Sequence, residues 1–310
     1  MDELHKVVCP ILSILEKESA NGDNIAYDDS PNRILSHKDR YNDKETTRKS
    51  ICTTAIVSQV ADKEIVLFYT SERYAGEEVS SLLANRSSAG PLMTMSDASP
   101  NNRLKAIDDQ LLERWVMCFC LVHGRRKFFE ICDFFDKDCD FVLGVISKIY
   151  HHEKICREGH YSPEERLRYH QTHSAELMES LRIWLNNRLL YLETEANSSL
   201  GEATRYMLKH WKQLTKFLHV AGALIDNSLC ERAIKVAIRH RKNSLFFKTS
   251  HGAEVGDCLM SLIHTTVRNG VSPYNYLNNL QWNAQAVKEH PEQWLPWNYE
   301  ANLTKLSKAA

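Results

Sequence analysis

A chain of 310 residues with 43% hydrophobic and 25% charged residues can bury a sizeable core, which excludes a disordered or fibrous polymer. Nine scattered cysteines without a Cys-x-x-Cys pair argue against a disulfide framework, and the lack of a signal-like N-terminus or a membrane-length apolar run predicts a cytoplasmic protein with no membrane partner. The formal net charge of −1 hides a polarity: residues 1–100 carry 11 Lys/Arg against 16 Asp/Glu, residues 205–250 carry 10 against 2. A basic segment of that kind is either an electrostatic footprint for nucleic acid or the solvated face of helices.

Residues 1–19 have helical spacing, with Val7, Val8, Ile11, Leu12 and Leu15 on one side and Asn21-Gly22-Asp23 as the stop. A short strand at 25–27 is expected to run out into Asp28-Asp29-Ser30-Pro31, and the polar run 36–50 to be an exposed loop. Segments 51–60 and 64–70, rich in β-branched and aromatic residues, predict a hairpin across Ala61-Asp62-Lys63. Residues 75–86 read as a helix, 91–96 as a short strand ending at Asp97, and 115–122 as an apolar segment before a helix that starts near His123-Gly124-Arg125-Arg126.

Between about 139 and 220 helical periodicity continues without a strand signal. Ser162-Pro163-Glu164-Glu165 opens a helix whose face carries Leu167, Ser174, Leu177, Leu181, Trp184, Leu185 and Leu192. Ser199-Leu200-Gly201-Glu202 opens the next, with Ala203, Tyr206, Met207, His210, Trp211, Leu214 and Leu218 as its stripe. Strands before residue 123, a helical block and the stretch 222–247, where turn chemistry at Asp226-Asn227-Ser228 leads into a helix with Glu231 in its first turn, together predict an α/β core carrying an α insertion.

Three carboxylates stand where elements end or begin: Asp28 and Asp97 after predicted strands, Glu231 in the first turn of a later helix. Carboxylates brought together from separate elements can share Mg²⁺ or Mn²⁺, and two such ions about 4 Å apart suit phosphodiester displacement. Each residue also has a plainer reading. An aspartate after a strand is a turn or cap residue, and Ser228-x-x-Glu231 has the spacing of a capping box, as do Ser162/Glu165 and Ser199/Glu202. Local sequence leaves both readings open. Arg125, Arg126, Arg239, His240, Arg241 and Lys242 are candidates for phosphate contacts or plain surface charge. Cys118-x-Cys120-x-x-His123 is expected to be packed core with a hydrogen-bonded histidine, and His152, Cys156 and His160 a solvated helical face frayed at Gly159.

Several separated motifs carry a family resemblance: DDSPNRIL at 28–35, IVLFYTSERYAGE at 65–77, MSD at 95–97, CLVHGRRKF at 120–128, ERLRYHQTHS at 165–174, YMLKHWKQLTKFL at 206–218, the long run 226–265 that opens DNSLCERAIKV, and WLPWNYE at 294–300. In this order they resemble the catalytic region of transposases of the insertion sequence 66 family. The resemblance implies an RNase H-like mixed sheet flanked by helices, with a large all-helical insertion before the last catalytic helix. On that pattern residues 1–138 and 222–282 form the catalytic core, 139–221 the insertion and 283–310 a C-terminal tail.

It further implies a DDE triad of Asp28, Asp97 and Glu231 holding Mg²⁺ or Mn²⁺, two ions in all, and acting on DNA by strand cleavage and strand transfer. A homo-oligomer on element ends and target DNA, with companion proteins from the same element, belongs to the same expectation. Asp29, Cys120, His123, Asp226 and Asn227 are accessory candidates; Asp29 competes with Asp28 because neighbours on a strand face opposite ways. The chain departs from the family at Thr70-Ser71, where Thr-Gly is usual, and at 224–228, where Leu-Ile-Asp-Asn-Ser replaces Pro-Leu-Asp-Asn-Asn. Helical and cysteine-rich segments usually precede this region, so a truncated remnant that binds DNA or full-length transposase, and an RNase H-like nuclease, stand as alternatives.

Overall fold

The computed structural model describes residues 2–37, 50–105, 107–190 and 198–309; positions 38–49 of the expected loop and Leu192 lie outside the described residues. Helix α1 (Asp2–Ala20) buries Val7, Val8, Ile11 and Leu15, four of the five positions its periodicity singles out. Strand β1 (Asn24–Asn32) is longer than local sequence suggests. It continues through Asp28-Asp29-Ser30-Pro31, paired residue for residue with β2 (Ile51–Val60), Asp28 opposite Ala55 and Pro31 opposite Cys52. Aspartate and proline are poor strand formers, so the extension comes from β2, whose first eight residues are all buried.

Strand β3 (Lys63–Ser71) pairs antiparallel with β2 as expected, and Ala61 in the connection has φ 54°, the left-handed region. After α2 (Ala75–Leu83) come β4 (Leu92–Ser96), α3 (Asp109–Arg114) and β5 (Trp115–Phe119), giving a five-stranded mixed sheet of order β3-β2-β1-β4-β5. Helix α4 (Leu121–Phe129) begins two residues earlier than expected, because Cys120 already stands at its N-cap. The rest of the chain is helical: α5 (Asp136–Glu158), α6 (Pro163–His173), α7 (Ala175–Leu190), α8 (Ser199–Lys209), α9 (Trp211–Leu214), α10 (Ser228–Ser244), α11 (Ser250–Arg268), α12 (Pro273–Trp282), α13 (Ala284–Glu289) and α14 (Tyr299–Ala309).

The chain forms two compact units, one of Met1–Leu92, Ser99–Trp115 and Ser228–Ala310, the other of Met93–Ala98 and Val116–Asn227. The first unit packs α1, α2, α11 and α12 around Leu15, Tyr27, Ile56, Leu67 and Leu262. Trp294 is fully buried in this core, and its carbonyl accepts the Tyr276 hydroxyl at 2.6 Å, so the segment 283–310 contributes packing.

The second unit centres on Phe128, Ile146, Ile149, Met178, Leu181, Leu185 and Met207. The single helix expected from 163 onward is broken at Ser174, whose buried Oγ lies 2.9 Å from Nδ1 of both His152 and His170. The fully buried stripe is therefore His170, Ser174, Met178, Leu181 and Leu185, which keeps Ser174, Leu181 and Leu185 of the expected face and adds His170 and Met178. Nor is 152–160 a solvated face: His152 is tied to Ser174, Cys156 is buried, and His160 has left the helix with φ 50°. Helix α8 is capped by Ser198, which accepts from the Gly201 amide at 3.1 Å, so the Ser199/Glu202 pair is one residue out of register for a capping box.

Candidate active site

In the first unit the site is built where α10 packs on β1 and β2. Asp28 lies mid-strand in β1, and its Oδ1 accepts the Asp29 amide at 2.9 Å. The Asp29 carboxylate instead accepts the Ala75 amide at 3.3 Å, at the start of α2, a capping position. Across from Asp28, the Ala55 carbonyl accepts the Cys230 thiol at 3.2 Å. That thiol is fully buried, and burial first, then the charges of Asp28 and Glu231, push its pKa well above the ordinary value. The charges of both carboxylates thus act on one neutral sulfur.

Glu231 is half-buried, and its Oε1 is sealed from solvent without a hydrogen-bond partner among the described residues. Glu165 behaves differently: its carboxylate accepts the Ser162 amide at 2.8 Å, completing a capping box. With Ser199/Glu202 removed as a precedent, the cap reading of Glu231 loses half its support within this chain. A buried oxygen left without a partner is expensive unless something else meets it.

In the second unit Asp97 follows β4 directly, as expected, and its carbonyl accepts the Ser96 hydroxyl at 2.9 Å. The Cys120 amide donates to the Ser96 carbonyl at 3.0 Å, fixing the start of α4 against the end of β4. The Asn227 amide donates to the Cys120 sulfur at 3.3 Å, and Leu121 donates to the Ile225 carbonyl at 3.1 Å. Burial pushes the Cys120 thiol up to about 12, with the Asp226 charge adding to it, so Cys120 is a packed neutral thiol at physiological pH. His123 departs from expectation. Its Nδ1 is buried with no hydrogen-bond partner among the described residues.

Tyr206, which the helical stripe marks only as packing, belongs to this neighbourhood. Its phenol is pushed up to about 12 by burial, then by the charges of Asp97 and Cys120, and the Lys127 ammonium sits 4.9 Å from its ring. No local signal distinguishes it from the rest of its stripe.

The cationic candidates separate by what they touch. Arg125 and Arg126 are exposed on α4, the former 5.5 Å over the Phe129 ring. Arg239 and Lys242 are exposed on α10, and His240 stacks on Phe247 at 5.9 Å. Arg241 is half-buried and donates to the Ser30 hydroxyl at 3.1 Å and to the Pro31 carbonyl, so it fastens the end of α10 to β1.

Fold and site define an α/β protein that offers hard carboxylate oxygens beside its sheet. The chain belongs to the family described as Transposase IS66 family, whose profile matches residues 1–255. It is 30% identical over 192 residues to the uncharacterized protein y4jD of Sinorhizobium fredii, covering 60% of this chain and 36% of that protein. The uncharacterized protein y4hP of the same organism is 27% identical over 200 residues, covering 60% of this chain and 35% of y4hP. The chain thus spans about a third of the length of the curated relatives it matches. No solved structure matches it. Among the described residues no helix is long and apolar enough to cross a membrane.

Proposed function

We propose that this chain is the catalytic region of a DDE transposase with an RNase H-like core, cutting DNA at the ends of an insertion sequence and joining the released 3′-OH to target DNA. The observation that carries this reading is the buried, unpartnered Oε1 of Glu231 beside the same thiol as Asp28, in a chain of the IS66 transposase family. Asp28, Asp97 and Glu231 would hold two Mg²⁺ or Mn²⁺ ions. What supports this is donor chemistry: carboxylates are hard oxygen ligands suited to such ions, and Oε1 of Glu231 has no hydrogen-bond partner among the described residues. When bound, such ions lower the pKa of an attacking water and neutralise charge on the leaving oxygen.

The chain's own residues supply position. Asp28 is fixed by pairing along the whole of β1, and α10 is fixed to β2 through Cys230 and to β1 through Arg241. Groups held that way need little reorganisation as the phosphodiester reacts, which is where positional catalysis gains most. Arg125, Arg126, Arg239 and Lys242 would neutralise phosphates of element ends and target DNA. A homo-oligomer on DNA and companion proteins from the same element belong to the same proposal.

The test uses purified protein, Mg²⁺ or Mn²⁺, and labelled DNA carrying the element ends. Metal-dependent cleavage and strand transfer are expected, with both abolished by Asp97→Asn. Cleavage that survives this substitution sinks the assignment; cleavage of any DNA without joining would instead point to a nuclease.

A further inference from the structure

At the end of α10 lies an open groove of about 690 Å³ whose walls carry Arg33, Leu35, Arg241, Lys242, Leu245 and Phe246. Beside it runs a short parallel pairing: the Phe247 amide donates to the Arg33 carbonyl and the Leu35 amide to the Phe247 carbonyl, each at 2.9 Å. Among the described residues no acidic side chain lines the groove. Arg241 is occupied by Ser30 and Pro31, but Arg33 and Lys242 are exposed and make no ion pair among the described residues.

The apolar side chains are as unusual as the cations. Leu245 takes φ 65° just past the last residue of α10, the place where helices favour glycine. A branched residue in the left-handed region is strained, and Leu245 recovers little by packing, being 65% exposed. Phe246 is 41% and Leu35 42% exposed beside it. Strain of this kind clusters at ligand-binding and catalytic positions.

We propose that this groove binds a single DNA strand, with phosphates on Arg33 and Lys242 and an unstacked base against Phe246 and Leu245. The chemistry selects that occupant. A duplex offers phosphates but keeps its base faces stacked, and an acidic peptide offers charge without flat rings, whereas a single strand presents both at nucleotide spacing. The inference rests on the chain being a DNA-processing enzyme, and adds that it grips DNA where the duplex has opened.

The experiment is a fluorescence anisotropy titration of labelled oligothymidylate of about 12 nucleotides and of a blunt duplex of equal length. Wild type, Phe246→Ala and Leu245→Gly are compared, and the melting temperature of each is recorded. Both substitutions are expected to weaken oligothymidylate binding about tenfold and to leave duplex binding nearly unchanged. Leu245→Gly should melt no lower than wild type, since glycine suits that backbone. Unchanged single-strand affinity in Leu245→Gly overturns the proposal, as does an equal loss for both DNAs, or equal competition by polyglutamate. Cleavage of element ends by wild type in any of those three cases leaves the transposase reading standing; wild type that cleaves nothing under any metal sinks that reading separately.

Discussion

At the residue scale the informative atom is Oε1 of Glu231, buried without a hydrogen-bond partner among the described residues, on a side chain whose charge, like that of Asp28, acts on the Cys230 thiol. In metal-free protein that arrangement is a liability, so Glu231→Gln should raise the melting temperature by about 2–4 °C. Mg²⁺ should stabilise wild type by mass action and fail to shift the variant. Thermal melts with and without Mg²⁺ check this; a variant that melts lower, or an equal Mg²⁺ shift in both, argues that the oxygen serves no cation. Asp257 gives a second residue-scale prediction. Burial raises its pKa from 3.8 to about 7, helped by the charges of Glu78 and Glu254 and opposed by hydrogen bonds from Thr70. The unfolded chain releases this proton near the ordinary value while the folded state keeps it until about pH 7, so stability falls as pH rises through that window and is level above it. Denaturant midpoints of Asp257→Asn relative to wild type should show that fall removed. The acids themselves were singled out from sequence, but only Asp97 stands at a strand end as expected; Asp28 lies inside β1. The choice between ligand and cap was not legible there, because it depends on whether a side-chain oxygen finds the N-cap amide, and Glu165 and Glu231 share a spacing yet differ in that.

At the element scale the edge of the sheet is managed by a helix. β3 ends the strand order, so among the described residues one side of its backbone has no strand to pair with. Asp257, Ser261, Thr265 and Asn269, four residues apart along α11 and its cap, meet Thr70, Phe68, Val66 and Glu64, two residues apart along β3. The match is geometric: four helical residues advance about 6 Å and two strand residues about 6.7 Å. Thr265 both accepts the Val66 amide at 3.0 Å and donates to its carbonyl at 3.1 Å. Thr265→Val keeps the shape and strands two buried backbone groups, so it should cost about 1–3 kcal/mol in chemical denaturation. A loss under a few tenths of a kcal/mol, or recovery by water with an unchanged midpoint, would show the edge to be satisfied otherwise. The hairpin, α1 and α6 were readable from periodicity and caps, since those signals are local. The length of β1 and the break at Ser174 were not. The first is imposed by the buried partner β2, the second by His152 and His170 gathering on one hydroxyl.

For the whole molecule the question is how a chain of net charge −1 would hold the polyanion proposed as its substrate. The motifs that carry the family are spread along the sequence, so membership was legible, but which cations face solvent was not, because Arg239 and Arg241 differ by only two positions on one helix. Arg239 is exposed, whereas Arg241 is fastened to Ser30 and Pro31. DNA association should therefore weaken with salt, with a log–log slope of about −2 to −4 if two to four of the exposed arginines and lysines contact phosphates. Arg239→Gln is expected to reduce the steepness by about 1 while leaving the melting temperature alone. Arg241→Gln should do the reverse, lowering the melting temperature through the lost tie between α10 and β1 and keeping the slope. Measured on one duplex over a salt series, equal slopes for wild type and Arg239→Gln would remove Arg239 from the interface. A slope change in Arg241→Gln without a stability change would mean that it leaves Pro31 to bind phosphate, and that the basic end of α10 acts as one ridge instead of an anchor flanked by free charges.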